Sequence, residues 1–424
     1  MSAKRWHPHL WHPFTQVLQG EPPVRAIRGQ GAVLETDEGE QLIDAISSWW
    51  VTLHGHSEPV IAAAIAEQAM TLEQVIFANF SHPQAERLAQ RLSQASGLER
   101  LFFSDNGSTA VEVALKMARQ WWHNRGEPRQ QVIAFDGAYH GDTVGAMAVG
   151  ARSLFSAPFE PWLFAVARAP WPATWWHDDD VEAKEAQCLA ALDRLLATPT
   201  AAVIVEPLLQ GAGGMACVRP EFLVQVQEHV RQSGALLIAD EVLTGFGRTG
   251  SLFAVQQAGI QPDLIALSKG LTGGFLPMGV TLAREAIYQA FLSDDPGHTF
   301  WHGHSFTANP LGCAAANASL DLLERHPERY RQMAERHRPH LEALAQHPLV
   351  QRPRLLGSMA AFDLATDQPG YLHPGGQLLQ AKARAHGVFL RPLGSVVYLL
   401  PPLCISDGQL EQCYAALQAA LGEL

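Results

Sequence analysis

Ala235-Leu236-Leu237-Ile238-Ala239-Asp240, running on into Glu241-Val242-Leu243-Thr244-Gly245-Phe246-Gly247-Arg248-Thr249-Gly250, is the stretch that decides the fold. Five apolar residues close on a carboxylate. A second run, Pro262-Asp263-Leu264-Ile265-Ala266-Leu267-Ser268-Lys269, closes on an amine and leads into Gly270-Leu271-Thr272-Gly273-Gly274. Runs this short and this apolar suit strands buried on both faces of a parallel sheet. Ligands of such sheets sit outside the carboxyl ends of the strands. Asp240 and Lys269 are therefore expected to face one crevice.

Working outward, residues 220–233 read as a helix with Phe222, Leu223, Val226 and Val230 on one face. Pro220 opens it and Gly234 follows its end, the usual helix asymmetry. It feeds the strand ending at Asp240, and Val203-Ile204-Val205 before Glu206 reads as the preceding strand. Strand and helix signals alternate through the middle of the chain, which predicts an α/β fold. From Ser108 to Trp122, apolar residues at Val111, Ala114, Leu115, Ala118, Trp121 and Trp122 share one helical face. Residues 312–348 read as helical, with Pro327 and Pro339 as interruptions, and 353–402 as richer in strands and turns. The first 60 residues lack a βαβ pattern. The expected division is a large domain at 61–311 and a smaller α+β domain made of 1–60 with 312–424.

The chain has 424 residues, enough to bury about 75% of its unfolded surface. Its net charge of −12 argues against nonspecific nucleic-acid binding and against an anionic membrane surface. Five scattered cysteines form no CxxC pair, which suits a reducing compartment, and a cytoplasmic location is expected. Lys4 and Arg5 precede Trp6-His7-Pro8-His9 rather than an apolar signal core, and no apolar run approaches the length of a membrane span. Trp-His-Pro recurs at 6–8 and 11–13, and Asp178-Asp179-Asp180 reads as a solvated loop.

A lysine and an acid in one crevice are what a pyridoxal phosphate enzyme needs: the amine for a Schiff base, the acid for the pyridinium nitrogen. Burial would depress the Lys269 pKa, as a nucleophilic amine requires. An Asp240–ring contact at ~4 Å is worth about 4 kcal/mol before desolvation, at an effective dielectric near 20. An anion site is offered by Ser104-Asp105-Asn106-Gly107-Ser108-Thr109, a strand–turn–helix junction after Leu101-Phe102-Phe103. Tyr139-His140-Gly141-Asp142-Thr143 brings an aromatic face and titratable groups beside glycines. Each feature also has a plain structural reading: a surface lysine, a strand-end carboxylate, a capped helix start, a packed loop aromatic. Among the 19 histidines, His54-Gly55-His56 and His302-Gly303-His304 form close pairs without a metal-site pattern. Walker and GxSxG patterns are missing, and Gly245-Phe246-Gly247-Arg248-Thr249-Gly250 has GxGxxG spacing but does not open directly from the strand that closes on Asp240, so dinucleotide, P-loop and serine-hydrolase readings are poor.

Together these motifs resemble the class III aminotransferases of pyridoxal phosphate fold type I, over nearly the whole chain. The most specific stretches are 240–250 and 268–274. Leu10-Trp11-His12-Pro13-Phe14-Thr15, Ser47-Ser48-Trp49-Trp50, Tyr139–Thr143, Arg391-Pro392-Leu393-Gly394 and Tyr398–Pro402 narrow the likeness to the subgroup that serves biotin biosynthesis. The resemblance implies a homodimer that shares its active sites and binds pyridoxal 5'-phosphate. It implies that Lys269 forms the Schiff base and shuttles a proton, and that Asp240 pairs with the ring nitrogen. Tyr139 stacks on the ring and Glu206 lies near its hydroxyl side. Gly107 and Ser108 hold the phosphate, which His304 and Ser305 reach from the neighbouring subunit. Trp50, Gly303, Arg391 and Asp142 match substrate contacts, and Phe14, Trp49 and Tyr398 complete an aromatic mouth. The implied acceptor is 8-amino-7-oxononanoate and the implied donor S-adenosylmethionine. Lysine stays open as donor, because Phe14 stands where adenosylmethionine-using members commonly carry tyrosine. Ser305 stands for the commoner threonine. Another ω-aminotransferase, acting on ornithine, 4-aminobutyrate or a diamine, is the alternative within the fold; a cofactor-binding protein without turnover would be expected to lose Lys269 or Asp240.

Overall fold

The computed structural model describes residues 6–18 and 20–424; residues 1–5, which hold Lys4 and Arg5, and Gln19 lie outside the described part. Its centre is a seven-stranded sheet. Across the sheet the strands run Arg100–Ser104, Gly279–Ala283, Leu264–Leu267, Leu236–Asp240, Thr200–Val205, Gln131–Phe135 and Ala167–Ala169. Gly279–Ala283 is antiparallel to both of its neighbours, and the remaining pairings are parallel. This is an α/β architecture with a mostly parallel sheet, as the apolar runs predict.

The strands ending at Asp240 and Leu267 are buried along their full length. Helices cover both faces, which is why these strands carry no polar alternation. The helix Pro220–Ser233 buries Phe222, Leu223, Val226 and Val230, and Gly234 ends it at φ 71°. The helix Gly107–Asn124 buries Val111, Ala114, Leu115, Ala118 and Trp122.

A four-stranded sheet joins the two ends of the chain. Ala26–Gln30, Val33–Thr36 and Gln41–Asp44 pair antiparallel, and Val388–Phe389 adds parallel to Gln41–Asp44. A three-stranded antiparallel sheet follows from Val350–Leu356, Met359–Leu364 and Val396–Leu399.

Three local expectations are corrected. The helix Met333–Leu344 runs through Pro339 instead of breaking there. Pro339 is exposed, while Met333, His337, Leu341 and Leu344 bury the opposite face, so packing outweighs one lost hydrogen bond. The strand-rich stretch 353–402 also holds the helix Pro374–Ala385, capped by His373. In the acidic run, Asp178 is turned inward, its carboxylate 2.5 Å from Lys184 Nζ and its side chain only 4% exposed.

Candidate active site

A cavity of about 680 Å³ opens at the carboxyl ends of the parallel strands. Five strands deliver its walls. Asn106, Gly107 and Ser108 follow the first; Tyr139 to Thr143 follow Gln131–Phe135; Glu206 follows Thr200–Val205; Asp240 ends its own strand; Ser268 and Lys269 follow Leu264–Leu267. Trp50 and Val51 close another side. Of the residues expected from sequence, Lys269, Asp240, Tyr139, Gly107, Ser108, Glu206, Asp142 and Trp50 meet here.

Asp240 lies at the bottom. One carboxylate oxygen accepts from the Val242 N–H at 3.0 Å, and the other lies 2.6 Å from His140 Nδ1, with both side chains sealed from solvent. Lys269 sits at φ 41°, in the left-handed region, at the start of a 3₁₀ turn. Its Nζ stands 4.9 Å from the centre of the Trp50 ring. Burial lowers its pKa below the ordinary lysine value, against the opposing pull of Asp240 and Glu206. Glu206 is itself pushed up to about 7, chiefly by burial. Its two oxygens accept from the N–H groups of Tyr139 at 2.9 Å and Gly211 at 3.1 Å. The Tyr139 phenol is raised well above its usual range by burial and by Asp142.

The end of the cavity at Gly107 and Ser108 is built by a helix start. Asn106 and Thr109 cap each other in a capping box, leaving the first-turn amides at Gly107 and Ser108 without intrahelical partners. Ser108 Oγ lies 2.7 Å from Thr143 Oγ1 and accepts from the Thr143 N–H at 3.0 Å. Gly141 makes this approach possible: its φ is 125°, and a Cβ there would meet Ser108 Oγ at 2.3 Å. A Cβ on Gly107 would meet Val242 at 2.6 Å.

Trp50 is fixed from both sides. Its indole N–H donates to the Tyr398 hydroxyl at 2.9 Å, and Arg248 donates to its carbonyl at 3.3 Å. Tyr398 is 1% exposed, so it stands behind Trp50 rather than in the cavity wall. Arg248, buried and donating also to the Pro401 carbonyl at 2.9 Å, is pushed down to about 10 by burial. Outside the cavity, Phe14 stacks edge-on against Trp49 at 5.4 Å and against Phe155 at 5.6 Å, and Phe155 meets Tyr371 at 4.7 Å. Arg391 lies over the Trp49 ring at 4.6 Å. His304, Ser305 and Gly303 do not line the cavity of their own chain. Ser305 is exposed, and its carbonyl accepts from Gln74 at 2.7 Å. His302 instead meets Lys116 Nζ at 2.9 Å, and His54 and His56 are engaged by Ser319 and Asp44. Among the described residues, no three His, Cys, Asp or Glu side chains gather to hold a metal ion.

A family profile for class-III aminotransferases matches residues 16–421. The chain is a class-III aminotransferase. The aminotransferase is 59% identical to the adenosylmethionine-8-amino-7-oxononanoate aminotransferase of Synechococcus elongatus, over 99% of each chain. It is 41% identical to the protein of that name from Geobacter sulfurreducens, covering 97% and 95% of the two chains. Among solved structures it superposes on the enzyme of that name from Methanocaldococcus jannaschii with TM-score 0.90 at 32% identity, covering 98% of this chain and 97% of the other. An amine transaminase of an uncultivated Pseudomonas species, in its PLP-bound internal aldimine form, gives TM-score 0.92 at 32% identity, covering 98% and 99%. The fold is that of the pyridoxal phosphate-dependent transferases of type I, and the aminotransferase uses pyridoxal phosphate. The cavity fits that cofactor: a volume adequate for one ring and phosphate, a helix start with open amides cleared by two glycines, a buried carboxylate and a sheltered amine.

Sequence reading assigned no part to His140, Thr143, Arg248 or Asp44. The first two lie within the quoted Tyr139–Thr143 stretch, and Arg248 within the 240–250 stretch. Asp44 closes an apolar strand as Asp240 does, which is the signal it carried.

Proposed function

We propose that this aminotransferase moves the amino group of S-adenosylmethionine to 8-amino-7-oxononanoate, giving 7,8-diaminononanoate in biotin biosynthesis. The observation that carries this reading is the 59% identity, over essentially the full chain, to a protein named for that reaction. Six further relatives that bear the name match at 35% identity or more over at least 97% of this chain.

Bound pyridoxal phosphate supplies an electron-accepting ring. In the proposed arrangement Asp240 holds the ring nitrogen, Tyr139 borders the ring face and Glu206 its hydroxyl side. The Gly107 and Ser108 amides take the phosphate. Lys269 binds the cofactor and, when free, takes the proton from the donor's α-carbon and returns one to the product side. The lowered pKa of the buried amine supports this, since a neutral amine is the form that accepts a proton. Arg391 receives the acceptor's carboxylate, and Trp49, Trp50 and Phe14 line the path of its apolar chain, with Tyr398 bracing Trp50. Aromatic faces also suit a sulfonium, by about 0.5–2 kcal/mol. Asp142 and Gly303 complete the substrate contacts.

We further propose a homodimer in which His304 and Ser305 serve the partner's cavity. Their position outside their own cavity, with Trp301 75% and Phe306 64% exposed beside them, supports it. Residues 1–60 with 312–424 are proposed as the smaller domain and 61–311 as the larger. A cytoplasmic location accords with five unpaired cysteines and with no helix among the described residues long and apolar enough to cross a membrane. No nucleic acid or membrane partner is proposed.

The test is direct. Purified protein with 8-amino-7-oxononanoate is given adenosylmethionine or lysine, and the diamine is measured. Diamine from adenosylmethionine is expected. Diamine from lysine alone would move the donor assignment, and none from either would sink the reading.

A further inference from the structure

The tryptophans at the cavity mouth ride on a turn that the backbone does not favour. Ser47, Ser48 and Trp50 all have positive φ, at 52°, 61° and 69°. Ser48 adds ψ −89°, close to a strained γ-turn geometry. L residues enter this region only when their surroundings hold them there.

One buried carboxylate grips the turn's middle, while the Ser47 hydroxyl donates to the Leu400 carbonyl at 2.7 Å and Trp50 keeps its contacts with Tyr398 and Arg248. Asp44 is wholly buried. Its Oδ1 accepts from the Ile46 N–H at 3.2 Å. Its Oδ2 accepts from the Ser48 N–H at 2.6 Å and the Ser48 hydroxyl at 3.3 Å, and lies 2.9 Å from His56 Nε2. His56 is anchored in turn by paired backbone hydrogen bonds with Gly31, at 2.7 and 3.0 Å. The Asp44 N–H donates to the Ala32 carbonyl at 2.8 Å, so the carboxylate is fixed to the end of an inner strand of the four-stranded sheet. The turn it grips ends with Trp49 under Arg391 and Trp50 under Lys269.

We propose that Asp44 is a positioning residue of the active site: through its hydrogen bonds to Ile46, Ser48 and His56 it holds the strained 47–50 turn that sets both tryptophan rings. The proposal rests on reading the cavity as the site of amino transfer. Asp44 touches neither ring. It acts by making one backbone conformation the stable one.

The test uses the full-length protein, with and without cofactor. Asp44→Asn keeps the shape but loses the anionic acceptor. It is expected to lower kcat/KM for the acceptor by about tenfold, mainly through KM. In the cofactor-free protein it is expected to lose the part of the near-ultraviolet tryptophan circular dichroism that Trp50→Phe also loses. Ser48→Gly, which removes the Cβ that disfavours positive φ, is expected to restore at least part of both signals in the Asp44→Asn background. In the Trp50→Phe background, Asp44→Asn is expected to change the dichroism little, since the coupling runs through that ring. An unchanged dichroism in Asp44→Asn, or the same change with and without Trp50, overturns the proposal. If Asp44→Asn does not fold, His56→Leu and His56→Gln decide. Loss of the tryptophan signal in the leucine variant and its recovery with glutamine, which keeps a donor, supports the clamp; identical behaviour overturns it. Because the dichroism is read without substrate, a wild-type protein that makes no diamine would leave this test intact.

Discussion

His140 Nδ1 lies 2.6 Å from Asp240 Oδ2, and the pair, almost closed to solvent, forms part of the cavity floor. The carboxylate can only accept, so the imidazole donates through Nδ1. Asp240 thus keeps its orientation through His140 on one side and the Val242 N–H on the other. Replacing His140 by leucine removes a hydrogen bond to a charged group, worth about 1.5–3 kcal/mol. The affinity of the cofactor-free protein for pyridoxal phosphate should fall by about 10- to 100-fold, read by absorbance titration. Unchanged affinity would show that Asp240 needs no such support.

Lys269 is the group on which every chemical step depends in the proposed mechanism. Its Nζ sits beside the Trp50 ring, and burial lowers its pKa. Lys269→Ala should retain the fold, lose the visible absorbance of covalently held cofactor, and lose turnover by at least about a thousandfold, since both proton-transfer and covalent roles go. Turnover within tenfold of wild type would remove Lys269 from its role.

The central sheet was legible because its strands are buried on both faces, and such strands write themselves as apolar runs with a polar residue at the end. Asp240, Glu206 and Lys269 are those end residues. Positions set by tertiary contact were not legible. Pro339 reads as a helix breaker, yet its helix continues because the buried face lies opposite. Tyr398 reads as a mouth aromatic, yet its hydroxyl is committed to Trp50 from behind. Asp178 reads as a solvated charge, yet Lys184 draws it inward. His140 meets its partner 100 residues away, and Asp44 ties the backbone at Ile46 and Ser48 to His56, 12 residues on, a link that no local spacing reports.

Burial raises the Glu206 carboxyl from 4.5 to about 7, so the folded chain holds its proton more tightly than the unfolded chain does. Between these values the unfolded state binds fewer protons. The associated stability is therefore complete below the unfolded pKa and is lost as pH rises through about 7. The slope is at most about 1.4 kcal/mol per pH unit for one group. Glu241, also pushed up to about 7 by burial, adds a second contribution in the same window. His54 and His337, each held down to about 3 by burial, contribute with the opposite slope over much of this window, so the Glu206 share is read as the difference in urea midpoint between wild type and Glu206→Gln, which should decline between about pH 5 and 7 in the cofactor-free protein. A Gln variant with the wild-type slope would place the titration elsewhere.

The proposed shared-site dimer makes a counting prediction. Lys269→Ala disables a cavity from within; Ser305→Glu, by setting a negative charge against a phosphate, should disable the partner's cavity. Each variant alone should be inactive. In a refolded equal mixture, half of the dimers are hybrids, and one of their two cavities has both its own Lys269 and an intact partner segment. Recovery of about a quarter of wild-type activity is expected. No recovery, with dimers demonstrably mixed, would place Ser305 in its own chain's site.

Arg391 carries its charge over the Trp49 ring at 4.6 Å, and among the described residues no carboxylate pairs with it. A guanidinium held by a ring face, with its donors unspent, is suited to a bidentate grip on an incoming carboxylate. Arg391→Leu should raise the KM for the carboxylate-bearing acceptor by about 10- to 100-fold, the worth of a charged hydrogen bond. Arg391→Lys should recover only part, because an ammonium offers no planar fork. Since this contact is remote from the reacting carbon and equal in ground and transition states, kcat should change far less than KM. The half-reaction with the donor alone should keep its rate. If the donor half-reaction slows as much as the full cycle, Arg391 serves the donor instead, and the carboxylate must be met elsewhere.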